Sequence, residues 1–144
     1  MPDAAHPIVG TWSLTSYVAE FQDTHEKADL FGRHPFGRIV YAPSGHMAGM
    51  LVHETRPKPK GPAATDAEAI ALFRSMVAYT GRYEIDGDKV VHHVDASWNE
   101  AWTGIDLTRS FRLEGRTLTL TTTPGPSPVD GRMRVSVLIW EKVD

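Results

Sequence analysis

The sequence of 144 residues contains no cysteine. That absence excludes a disulfide scaffold, a cysteine-ligated zinc, an iron–sulfur cluster and a thiol nucleophile. A basic excess is also missing: 15 Lys and Arg stand against 18 Asp and Glu, for a formal net charge of −3. Nothing here has the electrostatic footprint of a nucleic-acid partner. No stretch approaches ~18 consecutive apolar residues, and residues 1–10 lack the basic start and apolar run of a signal peptide. A soluble, cytoplasmic protein with no membrane partner is therefore expected. Phosphate-loop and dinucleotide fingerprints are absent, since Gly49, Gly61 and Gly81 stand alone. Ser97, Ser110 and Ser136 have no nucleophile-elbow context.

What is present is an ordinary globular composition, with 41% hydrophobic residues. The length suits one domain spanning residues 1–144. Most of the chain reads as short alternating segments broken by Gly, Pro and Asp. Residues 8–18 form the first strand candidate, and the Gly- and Pro-containing stretch 20–36 reads as irregular. Pro43-Ser44-Gly45 sets a tight hairpin between strands at 38–42 and 46–53. Thr65 and Glu68 form a capping box for one helix over about 66–79, with Ile70, Phe73, Met76 and Val77 at helical spacing. Further strands follow at 82–86, 89–97, 106–113, 117–123 and 132–142, with a proline-rich loop at 124–131. About eight sequential antiparallel strands favour an all-β, closed up-and-down barrel with one inserted helix, because closure removes exposed edges. A two-sheet sandwich is the alternative.

Hairpin arithmetic assigns the inward faces, since opposed residues point the same way. A two- or four-residue turn at Gly87-Asp88 pairs Ile85 with Val90 and Tyr83 with His92, sending His92 inward. A three-residue turn would send His93 and Asp95 inward instead. At Gly115-Arg116 the same logic pairs Leu113 with Leu118, Phe111 with Leu120 and Arg109 with Thr122. An arginine on an apolar face needs a carboxylate, carbonyls, water at a barrel end or a bound anion, because guanidinium does not deprotonate.

Gly10-Thr11-Trp12 resembles the G-x-W signature of lipocalins and their calycin relatives. The chain is similar to the small bacterial and fungal lipocalin-like domain proteins through several further stretches. These include Tyr41-Ala42-Pro43-Ser44-Gly45-His46-Met47, Gly81-Arg82-Tyr83-Glu84-Ile85, Ser97-Trp98-Asn99, Trp102-Thr103-Gly104 and Arg109-Ser110-Phe111. The resemblance implies an eight-stranded barrel whose Trp12 closes one end against a basic residue of the last strand, here Lys142. It also implies a lid between the first two strands, with Leu30, Phe31 and Phe36 as its apolar members.

A barrel of this size is either filled by side chains or holds one small ligand. If hollow, it would bind a small, largely apolar molecule carrying a polar or anionic group. Arg109, His92 and Tyr83 would meet the polar end, and Tyr41, Met47, Trp98, Trp102 and Phe111 would form apolar walls. His53 shares the parity of Tyr41 and Met47, which makes it a further lining candidate and a possible pair with His92. No H-x-H or H-E-x-x-H spacing occurs, so neither a metal nor another cofactor is expected. The competing possibility is a cofactor-free isomerase or cyclase using His92, Tyr83 and Arg109 for acid–base work and oxyanion stabilisation.

Overall fold

A computed structural model of the chain describes residues 6–127 and 130–143. In chain order the elements are β1 (Gly10–Phe21), β2 (Lys27–Asp29), β3 (Phe36–Tyr41), β4 (His46–Val52), the helix α1 (Asp66–Arg74), β5 (Met76–Asp86) and β6 (Lys89–Ser97). A single 3₁₀ turn, Glu100–Trp102, then leads to β7 (Asp106–Glu114), β8 (Thr117–Thr122), β9 (Gly125–Pro126) and β10 (Met133–Lys142). Strands β1, β3, β4, β5, β6, β7, β8 and β10 follow one another antiparallel, and β10 pairs back onto β1 from Trp12↔Lys142 to Phe21↔Arg134. The fold is a closed eight-stranded antiparallel barrel, with β2 and β9 as short additions at one rim.

The turns set the register as their chemistry dictates. Gly87 (φ 60°) and Gly115 (φ 59°) supply the left-handed conformation that a two-residue hairpin turn needs. Asp86 therefore pairs with Lys89, Tyr83 with His92, Glu114 with Thr117 and Arg109 with Thr122. His92 faces inward, and the register that would have turned His93 and Asp95 in does not form.

Two bulges redirect side chains. Between Leu14 and Ser16, β1 carries an extra residue against β10, so the buried positions change from Trp12 and Leu14 to Tyr17, Ala19 and Phe21. Asp95 is the extra residue between β5 and β6, where Thr80 faces Ala96 and Gly81 faces Val94.

One end of the barrel is packed shut. Trp12, Ile8, Tyr41, Tyr83, Val90, Leu118 and Trp140 are each at most 2% exposed. Lys142 Nζ lies 5.3 Å from the centroid of the Trp12 ring and donates to Val9 O at 3.0 Å. Trp12 Nε1 donates to Ile8 O at 2.9 Å.

Three expectations are corrected here. The helix ends at Arg74 rather than near position 79, and Met76–Tyr79 opens β5. The capping box at Thr65 and Glu68 is present, but no helix residue is buried, so helical spacing at Met76 and Val77 was coincident with a strand. The stretch 20–36 is not wholly irregular: β1 runs on to Phe21, and Lys27–Asp29 pairs with Val18–Glu20. Loop 124–131 likewise contributes Gly125–Pro126, paired with Met133 and Arg134.

Candidate functional site

The other end of the barrel opens into a cavity of about 240 Å³, slightly below the roughly 300–1,000 Å³ of drug-sized ligand sites. Its walls are mainly apolar, with Ile39, Leu51, Val77, Leu107, Leu120 and Leu138 among them, and Trp102 and Ile105 near the mouth. Into this surface project Arg109 from β7, Arg134 from β10, Tyr17 from β1, Tyr79 from β5 and His92 from β6. Among the described residues, no Asp, Glu, Asn or Gln lines it.

The polar groups are organised around two arginines. Arg134 is buried, donates from Nη2 to Tyr17 Oη at 2.9 Å, and has Ser136 beside it on the same inward face. Arg109 is half-buried, and its guanidinium lies against the Tyr79 hydroxyl. Among the described residues, neither arginine has a carboxylate within ion-pair distance. Two permanent cations in a wall without a carboxylate leave the cavity electropositive.

His92 sits beneath them, 1% exposed. Its Nδ1 is 2.6 Å from Tyr79 Oη, and its Nε2 is 2.7 Å from Tyr41 Oη. Burial, with the Arg109 charge adding to it, pushes the imidazole down to about 3, so the ring is neutral. Burial raises the phenols of Tyr41, Tyr79 and Tyr17, keeping all three protonated. A neutral imidazole of such low basicity, with both nitrogens engaged, is a poor general base at neutral pH.

The remaining predicted site residues divide sharply. Trp102 lines the cavity and packs edge-on against Tyr79, 5.7 Å between centroids. Tyr41 lies one layer deeper, behind His92. Tyr83, Met47 and Phe111 belong to the packed base and not to the wall; the Tyr83 hydroxyl donates to Ala42 O at 2.7 Å. Trp98 lies on the outside, where its Nε1 donates to Phe73 O at 3.0 Å and its ring meets Trp102. His53 follows the end of β4, packs near Phe31 and accepts from Thr55 N at 3.0 Å. It does not approach His92, whose nitrogens are both taken. Of the lid candidates, Phe31 is buried edge-on against Tyr17, whereas Phe36 is exposed on β3.

The cavity residues that the sequence reading did not pick include Tyr17, Tyr79, Arg134 and Trp140. Arg134 was within reach, because strand parity from Lys142 through Trp140 and Leu138 leads straight to it. Parity from Tyr83 through Gly81 likewise leads to Tyr79, which helical spacing had masked. Tyr17 has no such signal, since the bulge reverses the alternation that starts at Trp12.

The sequence matches the lipocalin-like domain over residues 9–143. The chain belongs to the lipocalin-like domain family. A search of curated proteins finds no match. Among solved structures, this lipocalin-like chain is similar to a lipocalin-like protein from Bacteroides uniformis ATCC 8492, at 14% identity and a TM-score of 0.47, covering 94% of this chain and 98% of that one. An uncharacterized protein from Bacteroides eggerthii DSM 20697 is similar at 14% identity and a TM-score of 0.43, with the same coverage of both chains.

Proposed function

We propose that this lipocalin-like barrel binds one small, largely apolar molecule through an anionic group received by Arg109 and Arg134. The observation that carries the reading is the pair of guanidinium groups in an apolar cavity whose wall, among the described residues, holds no carboxylate. Buried charge is expensive unless paired. A ligand carboxylate entering the cavity would supply the missing partner and exchange the remaining water for apolar contacts. The membership in a barrel family and the closed base support the same reading, since they leave one open mouth and a largely apolar interior.

Trp102 and Trp140 both line the cavity, so their fluorescence reports occupancy. Titration with a library of aliphatic and aromatic carboxylic acids is expected to give a saturable change with at least one compound class. Arg109→Gln and Arg134→Gln should each weaken that binding by about 1.5–3 kcal/mol, or roughly 10- to 160-fold. A silent library, or affinities indifferent to both substitutions, would overturn the proposal.

A further inference from the structure

The hydrogen-bond arrangement at the floor of the cavity decides which way its protons point. Tyr41 is 0% exposed, and among the described residues its hydroxyl has one hydrogen-bond partner, His92 Nε2. A neutral imidazole has one N–H and one bare nitrogen. If the proton sat on Nε2, Tyr41 Oη would accept it and its own O–H would be buried with nothing to bond. Placed on Nδ1, the proton is donated to Tyr79 Oη, and Tyr41 donates to the bare Nε2, so both buried groups are satisfied.

The consequence falls on Tyr79. Its oxygen then accepts from His92 and lies against Arg109, so its own O–H is left to donate, and the residue lines the cavity. With the two arginines it makes three donor side chains on a wall that, among the described residues, holds no carboxylate or amide side chain.

We propose that Tyr79 is a ligand-contacting donor and His92 its positioning residue, held in the Nδ1–H tautomer by Tyr41, so that the cavity selects carboxylates over neutral amides and alcohols of the same shape. This rests on the ligand-binding reading above and adds to it the identity of the recognising protons. Carboxylate offers lone pairs to every donor and brings no proton of its own, whereas an amide or alcohol sets a donor against donors.

The tautomer is read without any ligand, by long-range ¹H–¹⁵N NMR of the wild-type imidazole. Nδ1 protonated and Nε2 bare is the expected spectrum, and Nε2–H overturns the positioning role. Tyr41→Phe removes the constraint although Tyr41 does not line the cavity. The ring should move toward Nε2–H as Tyr79 turns its proton onto Nδ1, and affinity for an aromatic carboxylate should fall several-fold. Unchanged tautomer and affinity in that variant would count against the proposal. Tyr79→Phe, which keeps the ring packed, should weaken the carboxylate about tenfold while leaving its primary amide nearly unaffected. Equal effects on acid and amide would refute the selectivity. An Nδ1–H ring in a protein that binds no acid of the library overturns the ligand reading and the selectivity while the tautomer stands. An Nε2–H ring in a protein that does bind them overturns the tautomer alone.

Discussion

At the scale of single residues, two adjacent histidines place opposite pH signatures on one strand. His92 faces in and is held at about 3 against an ordinary value of 6.5. The unfolded chain therefore takes up that proton first. Its contribution to stability is complete above pH 6.5 and is lost as pH falls toward 3, at up to about 1.4 kcal/mol per pH unit. His93 faces out between Asp106 (2.7 Å) and Glu84 (3.4 Å), which raise its pKa. That contribution is present below 6.5 and fades as pH rises through the raised value. Thermal melts across pH should show His92→Gln flattening the acid limb, and His93→Gln removing a small loss on the neutral side. An acid limb unaltered in His92→Gln would contradict the burial of a neutral ring. The inward placement of His92 and Arg109 was legible in the sequence because glycine turns fix register to the residue. Their partners were not: Tyr41 reaches His92 from β3, where no sequence spacing leads, and Tyr79 on the neighbouring β5 was masked by helical spacing.

At the scale of elements, the bulges do what regular strands could not. Gly81 sits where β5 crosses the Asp95 bulge, and a Cβ there would collide with the His93 carbonyl oxygen and press on the Val94 backbone. Since the obstacle is backbone, Gly81→Ala should destabilise by about 1–3 kcal/mol, whereas Gly87→Ala, with open space but a φ of +60°, should cost nearer ~1 kcal/mol. Chemical denaturation of both variants checks the order. The helix contrasts with this. Its N-terminus was legible from Thr65 and Glu68, a local signal satisfied within four residues. Its end was not, because Met76, Val77 and Tyr79 fit helical spacing as well as strand burial, and long-range pairing with β4 decides. Thr65→Ala should fray the helix while leaving the barrel's melting temperature within about 2 °C, since no helix residue is buried.

For the whole molecule, closure separates two ends with different work. The Trp12 end is stapled by Lys142 and the β1–β10 ladder, as the G-x-W resemblance implied. At the other end Arg109 on β7 and Arg134 on β10, the two strands that flank β8, both face into the cavity. The barrel itself was legible from alternating segments and turn residues. The polar cluster was legible only in part: parity leads to Arg109 and Arg134, whereas the inward turn of Tyr17 depends on the reversal of β1 at its bulge. The central claim is that these two cations share one anionic ligand. Side-chain Nε–H NMR of the arginines tests it most directly, with an aromatic carboxylate as titrant. Arg109 and Arg134 should shift together along one saturation curve, while Arg112 on the outer face of β7 stays still. Shifts confined to outer arginines, or an Arg109 that moves without Arg134, would contradict the account.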